Sequence, residues 1–310
     1  MELNLESYKN EYDIEPSIFV YTTTYNRGYC LKRCIDSVLN LGFKQLKYLI
    51  IDDGSTDNTP MILKEYSSNA SIIVRRYEEN AGHLTRKLEG ELWLAGDFNF
   101  CLDSDDYLNP SFKDSLFSRA NLDNIDIISF PAKCEKVGEL VKLETDFIFD
   151  FQDTINFRVP KIDTVGVSKN KFQTLKKKLL KHPFQVITAP THVMARYNCK
   201  CLLVSDDYVN FGWSGDNLSS GLISNVTYDN FYLAVQENLL EYHGRYSKKF
   251  SDSIFLDYAN CLIIKNYKRS HIIKQMYKFS VFDFKLFLKI ILGKYLISKL
   301  KLIVRFKGRK

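Results

Sequence analysis

Residues 47–60 read KYLIIDDGSTDNTP. We predict a strand over Lys47–Ile51, because its almost continuous apolar character is typical of a parallel strand buried on both faces. The following Gly54–Pro60 predicts a turn that leads into a helix, since proline is favoured at the first helical position. This stretch therefore predicts a strand, a turn and a helix in succession.

The sequence on both sides repeats this alternation. A helix over Tyr29–Leu41 has apolar residues three and four positions apart and ends at Gly42. The same spacing marks a helix with Leu84, Leu88, Leu92 and Ala95. The other predicted strands are Ser17–Thr23, Ile72–Tyr77, Phe98–Leu102 and Ile125–Phe130. Strands that alternate with helices predict an α/β fold with a Rossmann-like, mostly parallel sheet flanked by helices.

The alternation becomes less regular after residue 131. The basic and polar tract Lys169–Lys181 predicts a loop or a surface helix there. We see no internal repeat and no low-complexity linker in the sequence. We therefore predict one domain over residues 1–265, with halves of about 17–120 and 121–265. A separate segment follows over residues 266–310.

The positive charge is concentrated at the C-terminus. The chain of 310 residues has a net charge of +6, and residues 271–310 carry 11 Lys and Arg against Asp283 alone. That segment therefore contributes +10, and the other 270 residues carry −4. Nucleic-acid-binding proteins have their basic patch on the folded domain. We predict no nucleic-acid partner.

The same segment is also apolar. From Lys278 to Lys294, Lys alternates with Phe, Leu and Ile. We predict a basic amphipathic helix that makes a peripheral membrane contact through residues 271–310, since such helices lie at anionic bilayer surfaces. The alternative is a terminal helix that packs on the body with a solvated basic face.

The cellular compartment is predicted from the cysteines and the N-terminus. The seven Cys are scattered, and Met1–Pro16 has no secretion signal. Both features are typical of a cytoplasmic protein with reduced thiols. The basic C-terminal segment would place it at the inner face of the cell membrane.

Four polar clusters follow the predicted strands. They are Thr22–Asn26, Asp52–Ser55, Asn80–His83 and Asp103–Asp106. Ligands of open α/β sheets bind beyond the carboxyl ends of the strands, where these clusters would meet. The sequence has no dinucleotide fingerprint G-x-G-x-x-G, no phosphate-binding loop G-x-x-x-x-G-K-[ST] and no H-E-x-x-H motif.

The fourth cluster has three carboxylates within four residues. Oxygen ligands of this kind suit Mg²⁺ or Mn²⁺, which bind through one or two carboxylates and leave positions for phosphate oxygens. The alternative is a solvated turn that caps the helix after Pro110. The presence of three further polar strand ends favours the metal site.

The motifs Thr24-Tyr-Asn-Arg27, Ile51-Asp-Asp-Gly-Ser-Thr-Asp57 and Leu102-Asp-Ser-Asp-Asp106 resemble those of the family 2 glycosyltransferases of the GT-A fold, in the same order and spacing. The resemblance covers about residues 17–120. It implies that this half binds a nucleotide-sugar and that residues 121–265 bind the acceptor.

The resemblance also implies residue roles. Asp53 would contact the uracil of a UDP-sugar, and Thr23 and Tyr25 would line the same pocket. Asp103 would face the ribose and the sugar, and Asp105 would ligate Mn²⁺ or Mg²⁺ with Asp103 beside it. The metal would neutralise the diphosphate leaving group, and inverting members use a carboxylate base on the acceptor hydroxyl.

One departure from the family follows the third strand. Many members read N-x-G-x-x-x-A-R-N-x-G, whereas this chain reads Asn80-Ala-Gly-His-Leu-Thr-Arg-Lys-Leu-Glu-Gly90. The Asn, Gly82 and the last Gly match, and the A-R-N core does not. Arg86 and Lys87 are candidates for a cation on the donor diphosphate. The alternative for both is a solvated helix face.

The second departure concerns the base. In many relatives an Asp or Glu opens a helix in this part of the chain, and here Thr191 stands at that position. His192 is next to it and titrates near neutral pH, which makes it a candidate base. The other candidates are Asp206, Asp207, Asp216 and Asp229.

The predicted function is that of an inverting, metal-dependent glycosyltransferase. It would move a sugar from a UDP-sugar to a hydroxyl of a surface glycan or a lipid-linked oligosaccharide. One alternative is an inactive GT-A protein that binds a nucleotide-sugar or a partner, because Thr191 replaces the expected acid. Another is a sugar nucleotidyltransferase, although Thr22–Arg27 lacks the Gly-rich, basic loop of that class.

Overall fold

The computed structural model describes residues 15–134, 138–139, 143–150, 153, 164–181, 183, 185–212, 268, 270–271 and 273–274. Strands and helices alternate through the first part of the chain, as the sequence predicts. These elements are β1 (Ile18–Thr24), α1 (Gly28–Leu39), β2 (Leu46–Asp52), α2 (Thr59–Glu65), β3 (Ile72–Arg76), α3 (His83–Trp93) and β4 (Phe98–Cys101).

The elements after β4 are shorter and less regular. They are β5 (Tyr107–Leu108), α4 (Phe112–Phe117), β6 (Ile127–Cys134), β7 (Gly138–Glu139), β8 (Phe147–Phe149), β9 (Thr164–Lys169), α5 (Asn170–Leu179), α6 (Gln185–Tyr197), β10 (Cys201–Leu203) and β11 (Val209–Phe211). The strand predicted over Ile125–Phe130 begins two residues later and extends to Cys134.

The strands form one sheet in the order β3-β2-β1-β4-β9-β6-β10-β8. The first four are parallel neighbours, which confirms the predicted parallel sheet. In contrast, β9 is antiparallel to both β4 and β6. β11 pairs with β5 and with β6, beside the main order of strands. The fold is therefore parallel where the polar strand ends gather and mixed beyond β4.

Both faces of the parallel half are buried. On one face Val20 and Ile50 pack with Leu31 and Ile35 of α1. On the other, Tyr21, Leu49 and Ile51 pack with Leu94. Successive strand residues point to opposite faces, so a strand covered on both sides is apolar at every position. This explains the apolar run in β2.

The basic tract that was predicted to be a loop or a surface helix is helical. Helix α5 buries Phe172, Gln173 and Lys176 on one side. Lys176 Nζ lies 2.8 Å from Glu91 Oε1 of α3, and both side chains are almost fully buried. The tract thus has an exposed basic face and a buried face that joins α5 to α3.

All helices and strands named above lie in the first of two units of the chain, residues Met1–Gly221. Apart from five residues between 268 and 274, the basic C-terminal segment lies outside the described residues. The boundaries near residues 120 and 265 and the amphipathic helix stay predictions. Among the helices that the structure describes, none is long and apolar enough to cross a membrane.

Candidate functional site

The carboxyl ends of β1, β2 and β4 lie side by side. Thr24 at the end of β1 pairs with Asp52 at the end of β2, and the Asp53 amide donates to the Thr24 carbonyl at 2.9 Å. On the other side the Leu102 amide donates to the Tyr21 carbonyl at 3.0 Å. The parallel register therefore brings three of the polar clusters to one edge of the sheet.

Asp53 holds the fourth cluster at this edge. Its carboxylate accepts hydrogen bonds from the amides of Ala81 and Gly82, each at 2.9 Å, and from Arg86 Nε at 2.6 Å. The side chain is almost fully buried. Asp53 lies at the strand end where the resemblance implies uracil binding. Its carboxylate bonds are to the turn before α3 and to Arg86 in the first part of α3.

Arg86 is a buried partner of Asp53 and not a solvated residue. Its guanidinium carbon lies 3.4 Å from the centre of the Tyr77 ring, and Nη2 donates to the Glu79 carbonyl at 3.3 Å. The predicted alternative of a solvated helix face is therefore wrong for Arg86. Its contacts make it a structural cation of the turn, which leaves Lys87 as the stronger candidate for the diphosphate.

Two glycines let the turns after β2 and β3 approach each other. Gly54 has φ of 80°, and a Cβ there would lie 3.1 Å from the Glu78 carbonyl oxygen. Gly82 has φ of 93°, a conformation that only glycine adopts readily. The positive φ lets the Gly82 amide reach Asp53. Gly82 thus belongs to the site through its backbone.

Lys87 contacts the fourth strand end. Its Nζ lies 2.9 Å from Asp103 Oδ1. Burial raises the pKa of Asp103, and the positive charge of Lys87 outweighs it, so the pKa falls to about 2. The pair places an ammonium group and an ionised carboxylate together beside β1.

Asp105 has a cation of its own. Arg27 Nη1 lies 3.2 Å from Asp105 Oδ2, and both side chains are mostly buried. Asp106 points elsewhere and accepts a hydrogen bond from the Gly212 amide at 3.0 Å. Burial, and then the charge of Asp103, raise the pKa of Asp106 to about 8. The three carboxylates of this turn therefore have three different environments.

The carboxylate oxygens of this turn are suitable ligands for a divalent metal ion. Asp103 and Asp105 supply hard oxygen ligands two residues apart on one turn. Within the described part of the chain, no three His, Cys, Asp or Glu side chains gather as a metal site. Mg²⁺ and Mn²⁺ need only one or two carboxylates when phosphate oxygens and waters complete the shell. Asp105 and Asp103 are thus the residues that would hold such an ion.

Thr23 and Tyr25 lie on either side of the end of β1. Thr23 is buried, and its Oγ1 lies 3.4 Å from His83 Nδ1. Tyr25 is 44% exposed. An exposed aromatic ring at the edge of a sheet can stack on a planar ligand. The role of both residues in a base pocket stays a prediction.

The base candidates differ in where they lie. Thr191 and His192 are in the second half of α6, after Pro190. The helix begins at Gln185 and not at the expected acid position, and the match of Thr191 to that position stays a prediction. The His192 side chain lies outside the described residues, and its role stays a prediction. Asp216 and Asp229 also lie outside them.

Asp206 and Asp207 are engaged with the protein. Arg119 Nη2 lies 2.9 Å from Asp206 Oδ1, and the Ser115 hydroxyl donates to the same oxygen at 3.1 Å. Asp207 is buried and accepts from Asn109 Nδ2 at 3.0 Å. These contacts indicate structural roles for both carboxylates.

Sequence reasoning assigned no role to Asn26 and Arg27. Asn26 Oδ1 accepts a hydrogen bond from the Thr56 amide at 2.8 Å, and Asn26 has φ of 53°. It therefore fixes the turn after β2, while Arg27 reaches Asp105. Their position directly after the first strand could have indicated these contacts, because residues there face the ends of the other strands.

We expect His83 to make stability depend on pH. Burial, and then the charge of Lys87, lower the pKa of His83 to about 4, against about 6.5 in an unfolded chain. Below pH 6.5 the unfolded chain therefore binds a proton that the folded chain does not. Stability should be full above pH 6.5 and fall by about 1–2 kcal/mol towards pH 4, because His83 is only partly buried.

Urea unfolding at pH 7, 6, 5 and 4.5 measures this effect. The control is His83→Gln, which keeps all other titrating groups, so that the difference between the two proteins isolates His83. Parallel stability curves for the two proteins would contradict the prediction.

A solved structure of another protein resembles the fold of this chain. The structure of residues 1–349 of Staphylococcus aureus TarS in complex with UDP-GlcNAc matches 90% of this chain and 80% of that chain, with a TM-score of 0.58 and 17% identity. That likeness shows the GT-A fold.

Several relatives match by sequence, among them the following two. The putative glycosyltransferase EpsH of Bacillus subtilis is 25% identical over 140 residues, 44% of this chain and 40% of EpsH. The chondroitin synthase of Escherichia coli is 34% identical over 95 residues, 31% of this chain and 14% of the synthase. The chain thus spans less than half the length of the curated relatives it matches.

The family model described as glycosyl transferase family 2 matches residues 19–196, which is more than half of the chain. The match includes β1 to β4, the turn with Asp103 and Asp105, and Asp53 with its partners. The chain belongs to glycosyl transferase family 2.

Proposed function

We propose that this glycosyltransferase moves a sugar from a UDP-sugar to a hydroxyl of a glycan or a lipid-linked oligosaccharide, with inversion and with Mn²⁺ or Mg²⁺. One observation carries the proposal. Asp103 and Asp105 follow β4 at the edge of the sheet where β1 and β2 also end, and each has a cation within 3.2 Å.

The cations of the site determine how it can handle a diphosphate. Lys87 lowers the pKa of Asp103, and Arg27 holds the Asp105 side chain in place, so the turn does not have to reorganise when a charged donor arrives. Lys87 is also positioned to stabilise negative charge on the diphosphate. Mn²⁺ or Mg²⁺, when bound, supplies Lewis-acid stabilisation of that leaving group.

The proposed reaction is a single displacement. The acceptor oxygen bonds to the anomeric carbon while the bond from that carbon to the UDP oxygen breaks, and the hydroxyl proton passes to a base. His192 remains the proposed base. Its variant His192→Ala should lose transfer to the acceptor while it still binds UDP.

The choice of UDP rests on the relatives. TarS was solved with UDP-GlcNAc, and one relative is named a chondroitin synthase. Thr23 and Tyr25 at the end of β1 support a base pocket. We therefore place a UDP-sugar as donor and a glycan as acceptor.

The test is nucleoside diphosphate release from UDP-, GDP- and dTDP-sugars with Mn²⁺. We expect release from one UDP-sugar, loss of release with EDTA, and recovery when Mn²⁺ is added in excess. Pyrophosphate release from a nucleoside triphosphate and a sugar phosphate would instead favour a nucleotidyltransferase. If glycan acceptors are supplied and neither product forms, the chain is a binding protein without turnover.

We also propose that residues 271–310 bind the anionic cytoplasmic leaflet and bring the site to a lipid-linked acceptor. Each Lys or Arg near such a surface contributes about 1 kcal/mol. We expect the full chain to sediment with vesicles that contain phosphatidylserine and to dissociate at high salt. A chain that ends at residue 270 should stay in the supernatant, and equal sedimentation of both would contradict the proposal.

A further inference from the structure

The turn with the candidate metal ligands is attached to a distant part of the chain. Residues 105–109 face residues 207–212, and β5 pairs with β11 between them. Asn109 Nδ2 donates to the Tyr208 carbonyl at 2.8 Å, and Asn210 Nδ2 donates to Asn109 Oδ1 at 2.6 Å. We call this pair of segments, 105–109 and 207–212, the clamp.

The clamp is closest at Gly212. The Gly212 amide donates to Asp106 Oδ1 at 3.0 Å, and the Asp106 side chain is buried. A Cβ built on Gly212 would overlap the backbone carbonyl of Asp105. Because the overlap is with backbone and not with the end of a flexible side chain, the Asp105 peptide would have to move.

The Asp105 carbonyl is also held from α1. Arg33 Nη2 donates to it at 3.4 Å, and the Arg33 guanidinium carbon lies 4.2 Å from the centre of the Tyr107 ring. The Asp105 side chain meanwhile reaches Arg27. The position of this residue is thus set from α1 on one side and from Gly212 on the other.

We propose that Gly212 and Asp106 are positioning residues, which hold the Asp103–Asp105 turn in the geometry that binds a metal–nucleoside diphosphate. The inference rests on the proposed function and adds two residues to it. Asp106 acts as a hydrogen-bond acceptor for Gly212, and the missing Cβ of Gly212 lets β11 approach the turn.

The experiment measures Mn²⁺ binding in the presence of UDP by the loss of the free-Mn²⁺ EPR signal. Gly212→Ala should weaken Mn²⁺·UDP binding about ten-fold, since displacements near 1 Å have effects of this order or larger. The matched control is Gly166→Ala in β9, where a Cβ would meet only side-chain atoms, the Ile127 methyl group at 3.3 Å and the Ser129 Oγ at 3.7 Å. It should bind Mn²⁺·UDP as the wild type does.

A pair of Asp106 variants separates positioning from charge. Asp106→Asn keeps an oxygen that accepts the Gly212 amide, and we expect binding within about two-fold of wild type. Asp106→Ala loses the acceptor and should resemble Gly212→Ala. Circular dichroism and thermal melting check that each variant is folded, and if Gly212→Ala does not fold, the Asp106 pair decides.

The results distinguish failure of the proposed function from failure of the clamp proposal. Wild-type chain that fails to bind Mn²⁺·UDP would overturn the proposed function, and the clamp with it. Wild-type binding with unchanged Gly212→Ala binding would overturn the clamp alone. Equal losses in Asp106→Asn and Asp106→Ala would also overturn it, because Asp106→Asn keeps the acceptor for the Gly212 amide and its loss could not come from that bond.

Discussion

Asp105→Asn is expected to lower kcat/KM for the transfer by about 10²–10³-fold while the chain stays folded. The substitution keeps the size of the side chain and removes its charge. The oxygen that faces Arg27 at 3.2 Å then loses most of its attraction for that cation. It also becomes a poor ligand for Mn²⁺ or Mg²⁺, which prefer carboxylates. The loss should appear in kcat, since the leaving group acquires its charge in the transition state.

The measurement is the rate of UDP formation at saturating Mn²⁺ with the donor that the release assay identifies. The matched control is Asp114→Asn on α4, which removes an exposed carboxylate outside the site. The control should keep wild-type rates. Similar rates for Asp105→Asn and Asp114→Asn would contradict a metal role for Asp105 and favour the alternative of a solvated turn.

The sequence was sufficient to predict the backbone of the parallel half. The apolar runs of β1, β2 and β4 and the one-sided apolar pattern of α1 follow from burial alone, which is a local property of the sequence. β9 was not predicted, because an antiparallel strand from residues 164–169 between β4 and β6 depends on long-range pairing. Its sequence, TVGVSK, is too short to indicate a partner or a direction.

The positions of the site residues could be predicted better than their partners. The order of motifs indicated that Asp53, Asp103 and Asp105 follow neighbouring strands. It did not indicate that Arg86 contacts Asp53 while Lys87 contacts Asp103. Adjacent helix residues differ in direction by about 100°, so the two side chains reach different partners. The Lys176–Glu91 pair was missed for a similar reason, since a lysine in a basic tract is normally solvated.

Pro190 explains why the sequence did not indicate where α6 begins. Proline normally marks the first turn of a helix, so Ala189–Arg196 reads as a helix that begins at the expected acid. The structure instead places Pro190 inside α6, which begins at Gln185. A proline there lacks the amide of an internal hydrogen bond, and helices accept it at a cost of about 3 kcal/mol that tertiary contacts must offset. The sequence pattern alone cannot reveal such contacts.

Asp53→Ala is expected to destabilise the fold by about 3–5 kcal/mol and to abolish donor binding. The change leaves the Arg86 guanidinium buried without its carboxylate, which is the costly way to break a buried pair. It also leaves the amides of Ala81 and Gly82 without their acceptor. The turn before α3, the helix that carries His83 and Lys87, then loses these bonds to the end of β2.

Urea unfolding and UDP titration measure the two effects separately. The matched control is Lys32→Ala, which breaks an exposed ion pair with Glu65 and should leave both stability and UDP binding close to wild type.

The double variant Asp53→Ala/Arg86→Met removes both buried charges and should recover part of the stability but not UDP binding. If the double variant recovers both, Asp53 serves only to neutralise Arg86. If stability returns and UDP binding does not, the carboxylate itself is needed at the end of β2, either to hold the 81–82 amides or to contact the base.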